Sequence, residues 1–250
     1  MEYAETENLS LAIADARGGG IMAEERDGGI YAQREQRMQR IRQWHQSVRV
    51  KKAVAALEDH GFQALLVENR AQAREELLKR IPPTARVGIG GSMSIREIGI
   101  IEDLERQENV IYNHWKPGLT PEQILEIRRA HLQCDIFLTS TNALTLEGEL
   151  ISTDGIGNRI GAMTFGPRQV IVVAGINKIV KDIHSGLQRI KEVATPQTVK
   201  EAELAIPCVQ TGFCLDCNSP QRACRATIIL ERRPLLTEIL VMIVGEELGF

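Results

Sequence analysis

The sequence predicts an α/β fold built on an open, largely parallel sheet with helices on both faces. Three observations carry this. Apolar strand-like runs alternate with helix-length segments, the order that builds parallel strands through crossover helices. The run Val170-Ile171-Val172-Val173 is apolar without alternation, as a strand covered on both faces must be. Aromatic residues are only 4% of the 250, so Val, Ile, Leu and Ala must fill the core.

The elements follow in order. Residues 1–31 hold Gly18-Gly19-Gly20 and Gly28-Gly29 without a sustained period, and read as a poorly ordered tail with a short helix near Leu9–Ala16. Residues 32–250 read as a single domain. A long helix is expected over 32–60, because Met38, Ile41, Trp44 and Val48 step by three or four; Gly61 stops it. Gln63–Val67 reads as a strand, Ala71–Arg80 as a helix ended by Pro82-Pro83, and Arg86–Ile89 as a strand. A helix over Ile95–Gln107 and a short strand at Val110–Tyr112 follow. Pro121–Leu132 suits a helix with Pro121 in its first turn and Thr120 as cap. Asp135–Ser140 and Gln169–Ala174 are apolar strands. Glu149–Ser152 and Arg159–Phe165 read as strands around a turn, and Ile179–Val193 as a helix. The end of the chain reads as a Cys-rich loop followed by a β-hairpin, Thr227–Glu231 with Glu238–Val244, joined around Pro234.

Charge and hydropathy limit the function. The net charge is −3, so no overall basic excess points to nucleic acid. The acids concentrate in residues 1–31, and the basic run from Arg34 to Lys52 reads as a solvated helix face. No apolar stretch approaches the roughly 20 residues that span a bilayer. With no secretory signal recognised, a cytoplasmic location is expected, where lasting disulfides are rare.

Five motifs can carry chemistry. Gly88-Ile89-Gly90-Gly91-Ser92-Met93-Ser94 links a strand to a helix, and Ser94-Ile95-Arg96-Glu97 has the pattern of a capping box. Such a loop offers free N–H groups to a phosphate or carboxylate, with Gly90, Gly91, Ser92 and Arg96 as candidates; otherwise it is a tight turn. It is neither a Walker A loop nor a dinucleotide fingerprint. Thr139-Ser140-Thr141-Asn142 ends a buried strand, where open α/β sheets bind ligands, and also suits a plain helix cap. Asp154-Gly155-Ile156-Gly157-Asn158-Arg159 is a turn by pattern. Its functional reading takes Asp154 or Glu149 as general base or nucleophile, with Asn158 and Arg159 holding an anion. Asn177 and Lys178 follow another buried strand, and a lysine opening a helix makes sense if it faces an anion; a solvated lysine is the alternative.

The fifth motif is Cys208-x5-Cys214-x2-Cys217-x6-Cys224. Four thiols within 17 residues suit a zinc ion or a 4Fe-4S cluster, although the spacing matches neither a zinc ribbon nor a ferredoxin run. Free or redox-active thiols are the alternative. Cys134, just before a buried strand, reads as a core residue. The five histidines show no metal-binding spacing, and His114-Trp115 is a candidate pocket lining.

Several of these segments, in order, resemble the LUD (lactate utilisation) domain family. They are Gly90–Gly99, Asn113-His114-Trp115, Phe137–Leu144, Asp154–Arg159, Gly175–Asp182, Cys208–Cys224 and Gly245–Gly249. The resemblance covers about residues 38–250. It implies the fold of ribose-phosphate isomerase, glucosamine-phosphate deaminase and the CoA transferases. It also implies a part in oxidising L-lactate to pyruvate, alongside iron–sulfur partner proteins, as an accessory or redox subunit that binds a small anionic metabolite. By analogy of fold, Gly90, Gly91 and Ser92 take the anion, and Asp154 or Glu149 acts as base or nucleophile. Two alternatives stay open: an isomerase or acyl-transfer enzyme on a phosphorylated or carboxylated metabolite, and a non-catalytic metabolite binder.

Overall fold

A computed structural model describes the backbone of residues 20–250 and the side chains of 31–250. The expected helix near Leu9–Ala16 lies outside the described residues. The described residues divide between His45 and Gln46 into two compact units. Helix α1, Gly20–Asp59, runs through the boundary and starts twelve residues before the expected residue 32. Met38, Ile41, Trp44 and Val48 are all exposed, so this stripe is no core face.

In the second unit β1 (Gln63–Val67) leads to α2 (Arg70–Arg80), whose N-cap Asn69 accepts from the Gln72 amide at 3.0 Å. β2 (Arg86–Ile89) is followed by two short helices, α3 (Met93–Ile98) and α4 (Ile101–Arg106), where one was expected. Gly99 breaks them apart at φ +71°, a left-handed conformation that ends a helix. β3 (Val110–Asn113) precedes α5 (Pro121–Ala130), which begins in a complete capping box between Thr120 and Gln123. β4 (Ile136–Thr139), β5 (Ala143–Thr145) and β6 (Leu150–Asp154) follow.

Four expectations need correction from here on. Arg159–Phe165 is not a strand: α6 (Asn158–Thr164) occupies it, because Asp154 accepts from the amides of Arg159 and Ile160 and starts a helix that buries Ile160 and Met163. β7 is Gln169–Gly175. Ile179–Val193 is not one helix: Ile179–Val180 pairs as strand β8, and Asp182 caps α7 (Ile183–Arg189) only afterwards, accepting from Ser185 at 2.8 Å. A π turn then leads to α8 (Thr195–Glu201), and α9 (Cys208–Thr211) opens the Cys-rich segment. The Gly-loop helix is capped by Ser92, not Ser94. Finally, β9 (Ala226–Leu230) and β10 (Glu238–Val244) form no hairpin: they belong to different sheets. β10 is apolar from Ile239 to Val244 and needs cover on both faces, which only an interior position gives.

The main sheet has the order β1-β10-β7-β4-β2-β3, all parallel. Alternate residues feed two cores. Ile171, Val173, Leu240 and Met242 meet α2, α3 and α4 through Leu77, Ile95 and Leu104. Val170, Val172, Val241 and Ile243 meet Val50, Ala53 and Leu57 of α1 and Met163 of α6. The second sheet, β8-β5-β6-β9, closes the latter core with Leu144, Leu150 and Leu230.

Strand order sets the site. From β2 the chain moves outward to β3, whereas from β4 it returns the other way to β7. The connections therefore part between β2 and β4, and a crevice opens beyond their carboxyl ends, where open α/β sheets hold ligands.

Candidate functional site

At this crevice lies a cavity of about 470 Å³. The β2–α3 loop gives it Gly91, Ser92 and Arg96. The end of β4 gives Ser140, Thr141 and Asn142, the end of β6 gives Asp154, Asn158 and Arg159, and the turn after β7 gives Lys178. Thus ten of the expected residues meet in one space. Four do not reach it. Gly90 lies beneath the wall, where a Cβ would stand 2.8 Å from Thr139 Oγ1, so the close approach of β2 and β4 requires glycine. Thr139 is buried and donates to the Ser140 carbonyl. Asn177 instead holds the chain end, bonding the Leu248 amide and the Gly249 carbonyl. Glu149 sits at the β5–β6 turn, where it accepts from the Thr145 hydroxyl.

Asp154 and Arg159 form the most enclosed ion pair, at 2.8 Å with 8% and 12% of their side chains exposed. Both Asp154 oxygens are engaged: one by Arg159 Nε, the other by the Arg159 and Ile160 amides. Arg159 also donates to the carbonyls of Ser140 and Thr153 and to Asn142 Oδ1, which commits four of its five N–H groups. Asp154 therefore orients Arg159 in this state. Arg96 lies over the Trp115 ring, 3.9 Å from its centroid, and pairs with Glu201 of α8 at 3.0 Å.

Lys178 lies in a tight turn after β7 with 3% exposure. Its Nζ donates to Ser140 Oγ at 2.8 Å and to Ser94 Oγ at 2.9 Å. Burial, then the nearby Arg189 and Arg159, push its pKa down to about 7, against a weak opposing pull from Glu97. Among the described residues it makes no ion pair. Ser94 is fully buried and also reaches the Leu248 carbonyl at 3.2 Å. The capping-box pattern had concealed this use of Ser94: Ser92 takes the cap, so the Ser94 hydroxyl turns to the lysine.

Sequence reasoning placed Lys178, Ser140 and Ser94 near one edge but gave no sign that they touch. It missed Thr195, Thr198 and Glu201 of α8, and Arg222, Ala223 and Arg225 of the Cys-rich loop, which close the far side. Pro196 in the first turn of α8 was the available signal. His114 does line the cavity; burial and the nearby His131 hold it neutral with a pKa lowered to about 4. Cys134 is a core residue as expected: burial raises its thiol to about 11, and it donates to the His131 carbonyl.

Cys208 is buried among Val199 and Ile206, with Cys217 packed beside them. Burial, then the neighbouring Cys217, Cys214 and Cys224, raise its pKa. Arg222 pins the loop by donating to the carbonyls of Cys217 and Cys224. All the cysteines are free thiols, and among the described residues no three His, Cys, Asp or Glu side chains are grouped as metal ligands.

The fold and the cavity define an α/β protein with a cation-lined site at a sheet switch point. A family model for the LUD domain matches residues 50–244, and the chain belongs to the LUD domain family. A crystal structure of a DUF162 family protein from Deinococcus radiodurans is similar to it at 15% identity and a TM-score of 0.48, over 80% of this chain and 98% of that one. No curated protein matches the chain. Family membership supports a role related to lactate utilisation. No helix among the described residues is long and apolar enough to cross a membrane.

Proposed function

We propose that the protein takes part in lactate utilisation as an accessory subunit that binds a small anionic metabolite in the switch-point cavity. One observation carries this. Arg96, Arg159, Arg222 and Arg225 line the cavity against Asp154 and Glu201 among the described residues, so its side chains present an excess of positive charge even without Lys178. An enclosed site of that sign favours carboxylate or phosphate. Iron–sulfur proteins of lactate oxidation are the partners this reading implies. The test is thermal unfolding with L-lactate, pyruvate, inorganic phosphate and coenzyme A. Saturable stabilisation by at least one, weakened in Arg96→Gln, supports the reading; a ligand at a hundred times its Kd adds about 2.7 kcal/mol. A flat response to all four refutes it.

A redox subunit is the second reading, favoured by the mutual proximity of the four loop thiols. It requires Cys208, Cys214, Cys217 and Cys224 to regroup around a metal. Iron, sulfide and zinc analysis of anaerobically purified protein decides it. Metal-free protein with reactive thiols rejects it.

A further inference from the structure

We propose that Ser140 is a nucleophile activated by Lys178, so that the cavity carries out acyl transfer or hydrolysis on a small carboxylic ester or thioester. This rests on the reading that the cavity takes an anionic metabolite, and adds a reaction to it. Four observations support it.

First, Ser140 and Lys178 both line the cavity, and Ser140 Oγ lies 2.8 Å from Nζ, within reach for direct proton transfer. Second, the lysine is fixed from the other side by Ser94 at 2.9 Å, so its position does not depend on a long flexible side chain. Third, an enclosed lysine that pairs with no carboxylate among the described residues loses its proton easily, and a neutral amine is a competent base near neutral pH. The charged groups acting on it are Arg189, Arg159 and Glu97, and the two arginines outweigh the glutamate. Fourth, Arg159 donates to the backbone carbonyl of Ser140 itself, at 2.9 Å, and so brings a positive charge to the residue that carries the reacting hydroxyl. The Asp154 carboxylate, already bonded on both oxygens, is left to orient Arg159.

The step balances without an oxidant or reductant. Ser140 Oγ attacks the acyl carbon as its proton passes to Nζ. The tetrahedral oxyanion collapses, the bond from carbon to the leaving oxygen or sulfur breaks, and Nζ returns the proton to that leaving group. Water, or a second nucleophile, then releases the acyl group from Ser140 by the same sequence in reverse.

The test uses the full chain and a fluorophosphonate probe, which bonds activated serine oxygen with loss of fluoride and spares the free thiols. Peptide mapping by mass spectrometry locates the label. The expected result is labelling at Ser140, with a rate that rises with pH through about 7. Ser140→Ala loses the label. Lys178→Met and Lys178→Arg slow labelling by at least about a hundredfold, the usual scale for a lost general base. Lys178→Arg keeps the charge, so it separates a base from a mere cation. Ser94→Ala still labels Ser140 but moves the pH midpoint downward, since the protonated lysine loses an acceptor. Circular dichroism and thermal unfolding verify that each variant is folded. No labelling of the wild type, labelling elsewhere, or equal labelling of folded Ser140→Ala overturns the proposal. Anion binding that persists without labelling removes only the reaction. Labelling without response to any of the four anions removes the binding reading alone.

Discussion

Replacing Lys178 by Met is expected to make the protein more stable, and by an amount that depends on pH. A lysine in the unfolded chain keeps its proton up to a pKa of about 10.5, but the folded one is lowered to about 7. Below pH 10.5 the unfolded chain therefore binds the proton more tightly, and native stability falls as pH falls toward 7. From those two values the penalty is about 4 kcal/mol at pH 7 and about 2 kcal/mol at pH 9. Methionine escapes it, while losing two hydrogen bonds to Ser140 and Ser94, worth about 1 kcal/mol each. The net gain is about 2 kcal/mol at pH 7 and close to zero at pH 9, and the difference between the two pH values is the firmer quantity. Urea unfolding of both proteins at pH 7 and pH 9, with equal m-values, measures it. A gain that is the same at both pH values, or a loss of several kcal/mol at pH 7, would mean that Lys178 is stably charged in the fold. The neutral base would then fail with it.

Three further outcomes follow from other contacts. Asp154→Asn leaves Arg159 enclosed without its partner and is expected to cost about 3 kcal/mol, the scale for breaking a buried ion pair; chemical denaturation showing less than about 1 kcal/mol would deny Asp154 its orienting role. Thr120→Ala removes the cap of α5 and is expected to cost about 1 kcal/mol while anion binding stays unchanged. His114 and His131 both have pKa values lowered mainly by burial, so the unfolded chain takes up their protons first as pH falls from about 6.5. Stability should decline from there toward pH 4, and a flat profile in an acid titration of urea midpoints would contradict the neutral, buried state of both.

The sheet was legible because its strands carry their burial in their composition. Val170–Val173 is apolar throughout, and it is central; Arg86–Ile89 and Asp135–Ser140 were recognised with their loops, and these bring most of the site to one edge. β10 is equally apolar, yet the short link around Pro234 suggested a hairpin. Sequence proximity outweighed the requirement that a two-sided apolar strand be interior. Segment 159–165 failed for another reason: its helix is set by Asp154, five residues before Arg159, and a side chain reaching forward over Gly157 leaves no period in the sequence. Ser94 shows the same limit in the site. Its pattern fits a capping box, and only the three-dimensional path of β7 brings Lys178 to it. The closing wall from α8 and the Cys-rich loop was missed because Pro196 signals only a helix start and the cysteines point to thiol chemistry, and neither says that these segments fold over the cavity.

The place of β10 between β1 and β7 also orders the events of folding. β1 pairs only with β10 in the main sheet, so Gln63 waits for Leu240, about 175 residues later, before its backbone is satisfied on that side. Until then β7 presents a bare apolar edge, and Gln169–Gly175 is the segment most open to pairing with another chain. A nascent chain halted before Glu238 would hold the elements of the cavity wall from β2, β4 and β7 but lack the strand that joins β1 and α2 to them. Its hazard would be aggregation through β7, beside the loss of Phe250 from the cavity wall.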